Sequence, residues 1–115
     1  MKILEIELDG IEKEVYDFLG LGQQNAVTAQ WFELFKGINR RKLCRAVEHL
    51  RTKGVPVGSN RVGEHKGYYI IDNAAELNAT IKQYESQIYK MMRIKNKLQE
   101  NFVDDDQLEL LLEEL

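Results

Sequence analysis

Cysteine and proline each occur once in the 115 residues, as Cys44 and Pro56, and histidine only twice, as His49 and His65. Each scarcity narrows the class of protein. A single cysteine makes no internal disulfide, so a cross-linked secreted scaffold is not expected and a reducing cytoplasm is. The two histidines stand apart, without cysteine or carboxylate neighbours at ligand spacing, so no metal site is expected. There is no run of about 18 apolar residues, so no membrane span is expected either. Residues 1–8 alternate charged and aliphatic side chains, unlike the basic start and long apolar run of a signal peptide. Nucleophile–base pairs, phosphate-cradling glycine loops and paired-acid motifs are missing, so neither an enzyme nor a cofactor is expected.

Positive charge is also in short supply overall, with a net charge of −3. Its distribution is uneven, however. Residues 1–38 carry a net −4 and the last thirteen residues a net −6, whereas residues 39–66 carry a net +6 and residues 73–102 a net +2. Local potential rather than the total decides whether a surface attracts phosphate. The basic block therefore marks the candidate binding region.

Apolar spacing orders the chain around that block. A short strand is expected over residues 3–8. A first helix is expected over 11–19, with Ile11, Val15, Phe18 and Leu19 on one face and Gly20 and Gly22 ending it. Ala26 and Val27 read as a two- or three-residue strand. Thr28 reads as the N-cap of a second helix through Phe35, whose apolar residues are Trp31, Phe32, Leu34 and Phe35. Gly37 suits a left-handed helix end, and Asn39 suits the cap of a third helix over 40–53. In that helix Leu43, Ala46, Val47 and Leu50 form an inward stripe, while Arg40, Arg41, Lys42, Arg45, Glu48 and His49 point outward, with Cys44 between the two faces. Val55 and Val57 read as a strand that Pro56 places at an edge, 58–67 as a polar turn, and 68–71 as the returning strand of a hairpin. Asp72 or Asn73 then caps a long helix over 73–101.

Helix, helix–turn–helix and hairpin follow one another in the order of a winged helix-turn-helix. The run Gly37-Ile38-Asn39-Arg40-Arg41-Lys42-Leu43 resembles the turn and start of a recognition helix. Leu50-Arg51 through Gly54 to Lys66-Gly67-Tyr68-Tyr69-Ile70 resembles the biotin-repressor-type winged helix, and Asn25-Ala26-Val27-Thr28 is similar to small regulators of Gram-positive phages and mobile elements. No biotin-ligase domain accompanies it, so that family's catalysis is not implied. The resemblance implies a mainly α fold with a small β wing, double-stranded DNA as partner, and a bacterial host cytoplasm. The residue chemistry points the same way. Arg40, Arg41 and Arg45 suit guanine edges or phosphates and Lys42 suits phosphate, with Asn39 and His49 on the same helix. Asn60, Arg61, His65 and Lys66 suit phosphates or the adjacent minor groove.

Beyond the hairpin, Leu77, Ile81, Tyr84, Ile88, Met91, Lys95, Leu98 and Phe102 step alternately by four and three, the spacing of a coiled-coil seam with one polar position at Lys95. The reading is therefore a winged helix-turn-helix domain over 1–72, a dimerisation helix over 73–102 and an acidic, leucine-containing tail over 103–115. Leu77, Ile81, Tyr84, Ile88, Met91 and Leu98 are the expected homodimer contacts. The tail's leucines at 108, 111, 112 and 115 share a helical face, and the tail is expected either to compete with DNA for the basic helix or to dock a protein partner. The expected function is sequence-specific DNA binding in transcriptional control of a phage or mobile element. The alternative is a phage replication or packaging adaptor that uses the same module for protein contacts.

Overall fold

A computed structural model describes residues 7–102 and Glu113. The tail helix expected over 103–115 lies outside the described residues except for Glu113, as does most of the strand expected over 3–8, and Glu7 and Leu8 are in no regular element. Four helices and one hairpin follow: α1 (Gly10–Phe18), α2 (Ala29–Lys36), α3 (Arg40–Thr52), β1 (Val57–Asn60), β2 (Gly67–Ile70) and α4 (Ala74–Asn101). A single 3-10 turn, Gln23–Asn25, lies between α1 and α2. The protein is thus mainly helical, with a two-stranded antiparallel sheet and a long C-terminal helix.

Local chemistry sets most helix ends. The Thr28 hydroxyl accepts from the Trp31 backbone N–H at 3.1 Å, and the Asn39 side chain accepts from Lys42 N–H at 2.9 Å. Each such cap satisfies one of the orphan donors in a helix's first turn and contributes about 1 kcal/mol. Between them Gly37 closes α2 at φ 65°, a backbone region that costs glycine little and other residues more. The sharp α2–α3 turn follows from Gly37 ending α2 and Asn39 capping α3 two residues later.

Two compact units divide the chain, Met1–Thr80 and Ile81–Leu115. The core of the first is built from Val15 of α1, Phe32 of α2, the α3 stripe Leu43, Ala46, Val47 and Leu50, and Ile38, Val55, Val57 and Ile70. Phe32, Leu43 and Leu50 are wholly buried. Burial of each contributes about 1.5–3 kcal/mol. The whole inward face expected of α3 is found. That of α1 is not as expected: Val15 is buried, but Ile11 and Phe18 are exposed, and the second buried residue of that helix is Glu12. On α2 only Phe32 is buried, with Leu34 and Phe35 left on the surface.

The hairpin pairs Val57 with Ile70, Gly58 with Tyr69, Ser59 with Tyr68 and Asn60 with Gly67. The strands therefore extend further towards the turn than the sequence indicates, leaving residues 61–66 to connect them. The free edge of β2 is covered by the segment between α1 and α2. Val27 and Tyr68 exchange both backbone hydrogen bonds at 2.8 Å, Gly22 N–H donates to Ile70 O, and Ile70 N–H donates to Gly20 O. The short strand expected at Ala26 and Val27 is in fact this pairing at Val27. Close approach there requires Gly67, whose φ is 123° and whose added Cβ would stand 2.2 Å from Val27 O.

At the start of α4, Glu76 is buried and its two carboxylate oxygens accept from Asp72 N–H at 2.8 Å and Gln23 N–H at 2.9 Å, while Asn73 caps Glu76 N–H. One side chain thus fastens the helix start to the 3-10 turn. In the second unit, the described part of α4 exposes every residue from Ile81 to Asn101. No described helix is long and apolar enough to cross a membrane.

Gly67→Ala is expected to destabilise the first unit by about 1–3 kcal/mol, because it adds both strain and a backbone clash. Gly10→Ala, with nothing within 4 Å of the new Cβ, serves as the neutral control. Urea unfolding followed by circular dichroism checks the pair.

Candidate functional site

Because α3 gives Leu43, Ala46, Val47 and Leu50 to the core, the period of the helix forces Arg40, Arg41, Lys42, Cys44 and Arg45 to the solvent side, and all five are exposed. The result is a cationic surface of four side chains on the first turn and a half. No described acidic residue pairs with any of them. Asn39 lies at the same end, but its side chain is engaged as the N-cap.

The hairpin turn supplies the second group. Arg61, His65 and Lys66 are exposed, whereas Asn60 is half-buried and donates to Gln23 Oε1 and to His65 O, both at 3.2 Å. Asn60 therefore braces the turn from within, and the three cationic or ionisable side chains beyond it face solvent.

Tyr68 sits where the two groups meet. Its hydroxyl is 3.6 Å from the Cys44 thiol on the outer side of α3. Burial, reinforced by the thiol hydrogen bond, pushes the phenol above its usual range, and the positive charges of Arg51 and Arg61 act in the opposite direction. The thiol contact sets the strand residue Tyr68 against the outer side of α3. A second tie comes from Arg51, whose Nε donates to Val57 O at 2.8 Å and joins the end of α3 to β1. These two ties hold the strands of the hairpin against α3.

His49 belongs to a different group. It lies about 13 Å further along the helix axis than Arg40, at 1.5 Å per residue. Its Nδ1 is 3.4 Å from Oε1 of the buried Glu12. The same carboxylate accepts from Lys53 Nζ at 2.5 Å and from Asp9 N–H at 3.2 Å, and Lys53 also donates to Glu7 O at 3.0 Å. This clasp joins α1 to the C-terminal end of α3. The Lys53 hydrogen bond holds the Glu12 carboxyl below its usual range in spite of burial, and the same bond raises the Lys53 ammonium above its own. Sequence reasoning passed over Glu12, although Asp9-x-x-Glu12 has the spacing of a capping box at a helix start.

One further cluster was not anticipated. On α1 and α2, the rings of Phe18 and Trp31 are 5.7 Å apart, as are those of Trp31 and Phe35, and Lys36 Nζ stands 3.8 Å above the Phe18 ring. Leu34 and Phe35 are each more than two-thirds exposed beside it. The expected dimer residues Leu77, Ile81, Tyr84, Ile88, Met91 and Leu98 are all exposed along α4. Among the described residues no group of three His, Cys, Asp or Glu side chains is arranged to hold a metal ion.

No known protein family, no curated protein and no solved structure matches the chain. Its function has to be argued from its own geometry.

The Glu12–Lys53 clasp carries a pH dependence of stability. Glu12 has a lowered folded pKa, so its contribution is present above the unfolded carboxylate value of about 4.3 and is lost as pH falls through the folded value. Lys53 has a raised folded pKa, so its contribution is present below about 10.4 and is lost as pH rises through the folded value. Urea midpoints are expected to hold steady through neutral pH and fall in acid, and Glu12→Gln is expected to lower the neutral midpoint and flatten the acid limb.

Proposed function

We propose that the chain is a winged helix-turn-helix protein that binds double-stranded DNA in a sequence-specific way, as a dimer, and acts in transcriptional control. In this reading α3 is the recognition helix, and Arg40, Arg41 and Arg45 enter the major groove to meet base edges, with Lys42 on a phosphate. The hairpin is the wing, whose Arg61, His65 and Lys66 meet the flanking backbone or the minor groove. The observation that carries the reading is the Tyr68–Cys44 contact, which sets the basic-tipped hairpin against the outer side of α3. Either basic cluster alone is an ordinary solvated surface. Held side by side, they make a continuous cationic strip of the kind that phosphate backbones attract.

The helix N-terminus adds to this. Three unpaired backbone N–H groups and the helix dipole favour an anion at the Arg40 end, where the basic side chains concentrate. The exposed stripe on α4 is the proposed dimer contact, and a two-fold dimer would set two recognition helices about 34 Å apart on a palindromic site. The sequence resemblance to small phage and mobile-element regulators is the ground for the biological setting and for a bacterial cytoplasm. Nothing in the proposed mechanism calls for catalysis or a cofactor.

A second reading is favoured by a specific observation. The exposed Leu34 and Phe35 beside the Phe18–Trp31 pair make an apolar patch of a kind that marks protein contacts. An adaptor in replication or packaging would use that patch rather than the cationic strip. Salt separates the two readings, because DNA binding releases counterions and log affinity falls linearly with log salt.

In a gel shift at modest salt, Arg41→Ala is expected to weaken binding to the cognate site about 5- to 150-fold, the value of one base-reading contact. Arg61→Ala is expected to weaken binding to all sequences alike and to reduce the salt slope by about one. If neither substitution weakens binding, the strip is not the interface. Light scattering on the intact chain is expected to give twice the 13.4 kDa chain mass, falling to the monomer for Ile88→Glu.

A further inference from the structure

The last turns of α4 present a side that coincides only in part with the proposed dimer stripe. Lys90, Arg93, Ile94, Lys97, Leu98 and Phe102 border a shallow, wide-open apolar hollow along one side of α4. It overlaps the heptad stripe at Leu98 and Phe102 and otherwise lies beside it. Cations surround it: Lys90, Arg93, Lys95 and Lys97 fall within eight residues, followed by a single acid, Glu100. Lys97 is 3.4 Å from Glu100, but among the described residues no carboxylate pairs with Lys90 or Arg93. An occupant should therefore be apolar on one face and acidic on its flanks.

The chain itself continues into such a segment. Residues 103–115 carry a net −6 with no basic group, and four of their five leucines, Leu108, Leu111, Leu112 and Leu115, stand at i, i+3, i+4 and i+7. That spacing puts all four on one side of a helix. We propose that residues 103–115 turn back and dock, within the same chain, into the hollow on α4, with the leucines against Ile94, Leu98 and Phe102 and the acids against Lys90, Arg93 and Lys97.

Length and position support this occupant over others. Five residues, 102–106, separate the end of α4 from the leucine segment, within the about 2–8 residues that usually join antiparallel helices. The nine residues 107–115 span about 13 Å as a helix, against about 16 Å from Lys90 to Asn101. The rival cationic surface, α3, offers no such match. Its apolar residues Leu43, Ala46, Val47 and Leu50 are already in the core, so the tail's leucines would find no apolar surface there. This inference is independent of DNA binding, since it concerns a surface on the second unit only.

A pair of introduced cysteines tests it in the full chain, after Cys44→Ser removes the exposed native thiol. Ile94→Cys with Leu112→Cys is expected to oxidise within one chain about tenfold faster than the off-face control, Tyr89→Cys with Leu112→Cys, because docking raises the local thiol concentration. Mixing isotopically heavy and light chains before oxidation and mapping the joined peptides tells an intrachain bond from an interchain one. Arg93→Glu should slow the bond, and adding Glu113→Lys should restore it. Equal rates for the two pairs, or a 94–112 bond formed only between chains, overturns the proposal. Hydrogen exchange provides a measurement that needs no cysteine. Amides of residues 90–101 should exchange about tenfold faster in Leu108→Glu/Leu112→Glu than in the unaltered chain, and unchanged protection also overturns it. Light scattering on the same samples follows dimerisation separately, so failure of the dimer and failure of the docked tail are told apart.

Discussion

The carboxylate of Glu12 is removed from water, and desolvating a carboxylate is costly unless donors replace the lost solvent. Two donors do so, Lys53 from the end of α3 and the Asp9 backbone from the start of α1, and the His49 ring stands 3.4 Å from the other carboxylate oxygen. Because the donors come from separate elements, meeting the requirement fixes those elements to one another. Helix α1 is bound to the C-terminal half of α3, which leaves the N-terminal half of α3 uncovered on its outer side. The cationic face of Arg40, Arg41, Lys42 and Arg45 is open for that reason. A second buried carboxylate, Glu76, joins the start of α4 to the Gln23–Asn25 turn by the same logic.

Helix α3 has one face in a close-packed core and the other in water, and its identity as a surface depends on what stands next to it. The Tyr68 hydroxyl beside Cys44 and the Arg51 bond to Val57 O set the hairpin against the helix. Covering the β2 edge with the 20–27 segment has a further consequence. The N–H and C=O groups of Tyr68 and Ile70 that would otherwise invite another strand are already paired with Val27, Gly22 and Gly20.

Charge in this protein is arranged by segment. Acidic groups predominate before residue 39 and after residue 102, and basic groups lie between. In the folded chain two acidic residues of the N-terminal segment, Glu12 and Asp9, pair with Lys53, while the cations on the open face of α3 are left without carboxylate partners among the described residues. A net charge of −3 therefore conceals a local surface of the opposite sign. The proposed docking of the tail on α4 is a second expression of this arrangement, in which opposite charges are matched over short distances along the chain.

What was legible in the sequence is what short-range physics decides. Thr28, Gly37 and Asn39 act within three or four residues, and the period of α3 separates its core stripe from its basic face without reference to the rest of the protein. The cationic residues of the candidate site followed from that period alone. Less local features did not. Ile11 and Phe18 have the spacing of an inward face, yet the depth of α1 against α3 is set by Glu12 meeting Lys53 across 41 residues of chain, and the two apolar side chains are left exposed. The strands proved longer towards the turn because Asn60 bonds Gln23, and Val27 is held by Tyr68. So the sequence by itself determined which residues are basic, which helix carries them and where that helix begins. Only the tertiary structure decided that His49 faces a buried carboxylate and that Tyr68 lies beside Cys44 of α3. The reason is that desolvated charges and strand edges take their partners from wherever the chain brings them, and no local pattern records that choice.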